Sequence, residues 1–199
     1  MGARLIEPVT LRGAHATLAP MAESDVDALA RAAADGEIHN LWYTHVADPA
    51  RMHEYVAAAL AMRDSLGAMP FVARHNASGD IVGSTRYFNV DAVNRRLEIG
   101  HTWYAKRVHR TAFNTECKLL LLTHAFEALG CIAVEFRTHW FNFASRAAIA
   151  RLGAKQDGVL RNHQVGADGS KRDTVVFSII DNEWPAVKRH LQFQLQKPR

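Results

Sequence analysis

Cysteine is scarce in this sequence, with two residues in 199, Cys117 and Cys131. Both sit in apolar segments at a spacing that fits neither a disulfide framework nor a metal knuckle, so buried free thiols are expected. Long apolar runs are lacking as well, and none approaches the roughly 18 residues of a membrane-crossing helix. The opening MGARLIEPVT carries Glu7 and Pro8 where a signal peptide would have its apolar stretch, and Ile6 where a myristoylation motif wants Ser or Thr. A cytoplasmic protein with no membrane partner is expected. The six prolines and twelve glycines form no cluster, and repeats, low-complexity tracts and linkers are missing, which leaves one domain over residues 1–199. The eleven histidines include no HExxH pair. His101, His109, His124, His139 and His163 lack metal-ligand spacing, so no metal is expected. The net charge of +4 suits an anionic ligand. It is spread along the chain without a basic arm, and no nucleic-acid partner is expected.

What is present is a mixed order of strands and helices. Val9 to Leu18 reads as an opening strand. Ser24 would cap a helix carrying Val26, Leu29 and Ala30, and Asp48-Pro49 starts a second helix that stops at Gly67. Phe71-Val72-Ala73 and Ile81-Val82-Gly83 form two strands around a turn at Asn76 to Asp80, and Leu97 to Tyr104 forms another. Asn114 to Leu129 is a helix apolar nearly all round, hence buried, with Gly130 as its stop. Ile132 to Thr138 is a strand and Phe143 to Leu152 a helix closed by Gly153. Val159 to His163 and Thr174 to Ile180 pair across a turn at Ala167-Asp168-Gly169. Trp184, Val187 and Leu191 mark a last helix, with 192–199 expected as a frayed tail. The segment from His101 to Gly153 is the most informative. There a basic turn opens a long apolar helix, and a helix N-terminus flanked by cations is an anion site.

Four stretches carry a resemblance: Glu98-Ile99-Gly100 with Trp103; Arg110 to Lys118 (RTAFNTECK); Asn142-Phe143-Ala144-Ser145 with Arg151-Leu152-Gly153; and Gly158 to Arg161 with Asp168-Gly169, Asp173 and Glu183-Trp184. In their order and spacing the chain resembles GCN5-related N-acetyltransferases (GNAT) of the RimJ/RimL-like branch, from Leu11 to Val187. The resemblance implies an α/β (α+β) fold. Its mixed, mostly antiparallel twisted sheet is flanked by helices and splays between the family's fourth strand, here Leu97 to Tyr104, and its fifth, here Ile132 to Thr138. It implies acetyl-CoA as cosubstrate in the gap, an amine acceptor (small molecule or protein N-terminus) entering opposite, and a possible homodimer. The family's phosphate loop, Gln/Arg-x-x-Gly-x-Gly/Ala, falls on His109 to Asn114, where His109, Ala112 and Asn114 depart from it. Ala is the smallest alternative to Gly, and backbone N–H groups need no particular side chain.

The coenzyme residues implied are Trp103, Tyr104, His109, Arg110, Thr111, Ala112, Phe113, Asn114, Thr115, Asn142 and Ser145. Asn142 is a helix N-cap in any case, and the resemblance adds a bond to the pantetheine arm. Family members often carry a tyrosine acid seven residues after this Asn; here that position is Ile149. Ser145 is a substitute, with water or a substrate group as rivals, and a thiol of pKa about 8.5 barely needs an acid. Glu98 is either a carboxylate paired with Arg95 or Arg86 across the sheet, or the base that takes the amine's proton. Trp42 and Tyr43, between the first two helices, and Phe88 are nominated for acceptor contact against a reading as core or lid aromatics. Direct acetyl transfer in a ternary complex follows. The alternative is a GNAT-like protein that binds coenzyme A or acyl-CoA without catalysis.

Overall fold

The computed structural model describes residues 6–44, 46, 48–166 and 168–197. Its strands are β1 (Leu11–Arg12), β2 (Ala16–Pro20), β3 (Met69–His75), β4 (Ile81–Asp91), β5 (Arg96–Tyr104), β6 (Ala133–His139), β7 (Lys155–Val165) and β8 (Lys171–Ile180). Its α-helices are α1 (Val26–Ala34), α2 (Met52–Leu66), α3 (Phe113–Thr123), α4 (Phe143–Ala150) and α5 (Trp184–Gln196). The strands form one sheet in the order β1-β2-β3-β4-β5-β6-β8-β7. Neighbours are antiparallel except β5 and β6. The predicted mixed, mostly antiparallel sheet is therefore what forms, with the family's fourth and fifth strands as β5 and β6.

The parallel pair is brief. Arg96, Leu97 and Glu98 pair with Ala133, Val134 and Glu135, and no later residue of β5 pairs with β6. Beyond Glu98 the two strands part, which is the expected splay. Alternation along β4 assigns the two faces. Tyr87 is fully buried and donates its hydroxyl to Leu121 O of α3 at 2.6 Å. On the opposite face Ser84 accepts from the Tyr55 hydroxyl of α2 at 3.2 Å. The sheet is thus sandwiched between α1 and α2 on one side and α3 and α5 on the other. Trp184 locks α5 down by stacking on Phe126 and donating Nε1 to Glu127 at 2.7 Å.

Several local expectations are corrected. The opening strand breaks at Gly13, because Glu116 of α3 reaches in to accept from the amides of Ala14, His15 and Ala16 at 2.6–2.9 Å. Ser24 is not the cap of the first helix. A short 3-10 turn, Glu23–Asp25, precedes α1, and Asp25 accepts from the Ala22 amide at 2.8 Å. Asp48 does cap its turn, accepting from Ala50 at 2.9 Å with Pro49 at the first position. The long apolar helix keeps α geometry only to Thr123 and continues as a π turn, His124–Ala128. Part of the supposed frayed tail is helical, since α5 runs to Gln196. Ala167 of the last hairpin turn lies outside the described residues.

Candidate active site

The splay opens into a cavity of about 900 Å³ between the two halves of the sheet. Two walls of this cavity are backbone. One is the β5 edge beyond Glu98, whose peptide groups facing the gap have no β6 partner. Buried or half-buried backbone of this kind needs a hydrogen-bonding partner. A bulge sits within it: Ser84 opposes Trp103 while Arg86 opposes Gly100, so β5 carries one extra residue, and His101 takes φ of 48°. Bulges re-aim backbone groups and break the ladder locally. The second wall is the mouth of α3, whose first amides have no intrahelical carbonyl to reach.

The predicted phosphate-loop residues divide. His109, Arg110 and Asn114 line the cavity; Thr111, Ala112, Phe113 and Thr115 do not. Phe113 is 1% exposed and packs edge-on against Tyr104, and Thr115 is also buried, its hydroxyl accepting from Arg151 at 3.1 Å. Those side chains belong to the core because the first turn of α3 is wedged under β5. Only their backbone can face a ligand. His109 is exposed, yet its Nε2 stands 2.8 Å from Tyr104 O and so pins the loop to the end of β5. Arg110 holds φ of 58°, the left-handed conformation in this turn. Ala112, by contrast, has φ of −65°, which any residue adopts. Asn114 presents a buried Oδ1 with no partner among the described residues. Arg107 is committed elsewhere, to Asp35 at 2.9 Å and Asp80 at 3.7 Å.

Across the gap, Asn142 caps α4 by accepting from Ser145 N at 3.0 Å, and both residues line the cavity. Ile149 lines it too, at the position where a tyrosine was looked for. Trp103 and Tyr104 are buried wall residues, and Trp103 donates Nε1 to the Tyr55 hydroxyl at 3.2 Å. Tyr43 and Phe88 line the cavity. Trp42 does not: it is 70% exposed and stands at the rim, edge-on to His139 at 5.0 Å and 5.7 Å from Phe141.

Glu98 lies where β5 and β6 separate and is 4% exposed. Neither Arg95 nor Arg86 pairs with it. Its Oε2 accepts from Asn89 Nδ2 at 2.9 Å and lies 3.4 Å from Arg137 Nε of β6. Burial nevertheless pushes its pKa up to about 7, outweighing the Asn89 bond and the pull of Arg137. A carboxyl titrating there is matched to proton transfer near neutral pH. Arg137 is shared with Glu135, which also binds Arg96.

Among the wall residues that sequence reasoning missed, three stand out. Lys118 of α3 is 6% exposed and donates Nζ to Thr102 of the bulge at 2.8 Å. Desolvation pulls its pKa down to about 8. Its signal was a lone lysine in the apolar run CKLLLL. Arg86 is 2% exposed and signalled only by a cation inside the strand IVGSTRYF. Asn89, at φ of 47°, had no local signal. The two cysteines are buried, and burial pushes Cys117 to about 12 and Cys131 to about 11, so both stay protonated thiols. Among the described residues no group of three or more His, Cys, Asp or Glu could hold a metal ion.

The chain matches the model of the acetyltransferase (GNAT) domain over residues 15–155. A curated protein of Bacillus subtilis (strain 168), named "Putative ribosomal N-acetyltransferase YdaF", is 33% identical over 110 residues, 55% of this chain. The match spans 59% of that relative's length. A solved GCN5-related N-acetyltransferase from Brucella melitensis superposes with a TM-score of 0.84 at 29% identity, covering 96% of this chain and 86% of that one. RimJ of Mycobacterium smegmatis, solved in complex with CoA-disulfide, gives 0.77 at 23% identity over 94% of this chain and 95% of that one; this last likeness is one of fold.

Proposed function

Because the chain belongs to the acetyltransferase (GNAT) domain family, we propose that it moves an acetyl group from acetyl-CoA to a primary amine by direct attack in a ternary complex. The observation that carries this is the junction at Glu98. From there a strand edge that β6 leaves, a helix mouth and a buried carboxyl near neutral pKa line one cavity. The pantetheine arm would lie along β5 as an added strand, its amides bonding peptide groups that β6 does not reach. The pyrophosphate would sit on the amides at the start of α3 beside Arg110. Backbone at the bulge, around Trp103, would hold the thioester carbonyl as charge develops on its oxygen.

The amine must shed a proton before it attacks, since an ammonium has no lone pair. Glu98 accepts that proton, directly or through water. An α-amino group titrates at about 8, so a base near 7 is adequate, whereas a lysine amine at about 10.4 is harder to deprotonate. The leaving thiolate takes a proton from water or Ser145. RimJ of Mycobacterium smegmatis, which shares this fold, was solved in complex with CoA-disulfide, so a coenzyme A ligand is the first to test here. The name of the Bacillus subtilis relative, "Putative ribosomal N-acetyltransferase YdaF", makes a ribosomal amine one acceptor to test.

Calorimetric titration with acetyl-CoA and with dephospho-CoA tests the coenzyme half. Binding weakened by loss of the 3′-phosphate is expected, followed by thiol release on an amine panel. Absence of acetyl-CoA binding removes the proposal.

A further inference from the structure

Arg86 is left unexplained by acetyl transfer to an arbitrary amine. It occupies the middle of β4 on the α2 face, is 2% exposed, and lines the cavity. Its guanidinium stands 5.3 Å from the centre of the Tyr55 ring, with Nη1 3.2 Å from Met62 Sδ. Its Nε is buried without a hydrogen-bond partner, and among the described residues no carboxylate lies within ion-pair distance. Arginine stays protonated and carries five donors, while a thioether is a weak acceptor. A buried cation in that state is costly, and a residue whose whole purpose was to brace α2 could be apolar.

The sheet register puts this cation beside the reacting centre. Arg86 opposes Gly100 and Phe88 opposes Glu98, so Arg86 and Glu98 are diagonal neighbours on one face, ~7–8 Å apart along the sheet. Gly100 lies between them. A Cβ there would come within 2.6 Å of Phe88 Cε1 and 3.5 Å of Glu98 Oε1, so the bare glycine makes room for the Phe88 ring beside the carboxyl. The Glu98 carboxylate is held by Asn89 and Arg137 instead, leaving Arg86 to a ligand.

We propose that Arg86 recognises an anionic group on the acceptor: the substrate is an amine bearing a carboxylate a few bonds away, with its nitrogen at Glu98 and its carboxylate on the Arg86 fork. This rests on the cavity being an amine-acetylating site. A free amino acid and a peptide with an acidic residue next to its N-terminus share that chemistry.

The test is an initial-rate comparison of matched pairs. One arm uses amino acids against their amides; the other uses peptide amides with Asp or Glu against Asn or Gln at the second position. The arm that shows the acid preference identifies the source. Comparing the acid-to-neutral ratio of kcat/KM in the natural protein and in Arg86→Met cancels differences in amine basicity. That ratio is expected to fall roughly 10- to 100-fold in the variant, through KM. An unchanged ratio, or no acid preference in either arm, overturns the inference. Acetyl-CoA affinity reports whether Arg86→Met is folded. If it is not, Arg86→Lys replaces it, with a several-fold fall expected because the bidentate fork is lost. If no amine is acetylated, the same pairs are titrated calorimetrically into the CoA-loaded protein. Tighter binding of acids that Arg86→Met abolishes keeps the inference while acetyl transfer falls; equal binding sinks both.

Discussion

The two sides of the cavity are built from different materials. The side proposed for the coenzyme is mostly backbone: the β5 edge past Glu98, the bulge at His101, and the mouth of α3. The side proposed for the acceptor is made of buried side chains, with Glu98 held by Asn89 and Arg137, and Arg86 packed on Tyr55 and Met62. A backbone surface survives changes of side chain, because any residue offers the same N–H and C=O. A surface of buried charges does not, because each group depends on its partners. Substitutions should therefore divide sharply between the halves.

The coenzyme side should yield only to a change that moves the chain itself. Gly83 of β4 opposes Tyr104, and a Cβ there would stand 2.1 Å from Trp103 O and 2.8 Å from Tyr104 Cα. Neither atom can step aside, since both are β5 backbone at the coenzyme wall. Gly83→Ala is expected to cost about 3 kcal/mol of stability and at least ~10-fold in acetyl-CoA affinity. Denaturant unfolding and calorimetry read the two effects. Unaltered affinity in a destabilised protein would mean that the end of β5 does not carry the coenzyme.

On the acceptor side one conservative change should be enough. Glu98→Gln keeps the shape and removes the base, so kcat/KM should drop about 100-fold or more while acetyl-CoA binding holds. The pH profile sharpens this. Because burial raises the Glu98 pKa to about 7, the active, deprotonated form accumulates as pH rises through about 7, and the rate rises with it. The variant should lose that limb. Stability runs the other way: a carboxyl raised above its unfolded value stabilises the fold at low pH and loses that contribution as pH climbs through about 7. A rate and profile identical to those of the natural protein remove Glu98 as the base.

What could be read in the sequence follows the same division. Strand and helix periodicity, the stops at Gly67, Gly130 and Gly153, and the cap at Asp48 are local signals, and the structure contains all of them. The basic turn opening an apolar helix was local too, so the groove was legible. The acceptor side was not, because it depends on register. Nothing near Arg86 in the chain announces that it faces Gly100, and nothing near Glu98 announces Arg137 across a parallel pair. The pairing first suggested for Glu98, with Arg95 or Arg86, failed for that reason. The break at Gly13 has the same origin, since the carboxylate that makes it comes from Glu116 in a distant helix.

Asn142 belongs to both categories, as a cap and as a wall residue. Asn142→Ala should cost about 1 kcal/mol in unfolding experiments through the lost cap. Asn142→Asp separates the roles, because Asp caps as well as Asn but cannot donate. Stability is expected to hold in Asn142→Asp while acetyl-CoA affinity falls several-fold. An affinity that follows stability in both variants leaves Asn142 as a cap alone.

The smallest effect is expected where the chain departs most plainly from the family's glycine-rich loop. Ala112 stands where the family's loop has its first glycine, a residue whose missing Cβ permits close approach of the backbone to a phosphate. In the structure Ala112 has φ of −65°, its side chain is off the cavity, and its carbonyl accepts the first bond of α3 from Glu116 N at 3.0 Å. The strained torsion in this turn belongs to Arg110 instead. Restoring glycine at 112 therefore relieves nothing and adds chain entropy to the unfolded state, offset in part because glycine is the better N-cap. Ala112→Gly should change acetyl-CoA affinity by less than about threefold and stability by less than about 1 kcal/mol. A tenfold gain in affinity would show that the methyl group does obstruct the phosphates, and that the coenzyme side is more sensitive to side chains than its backbone construction implies.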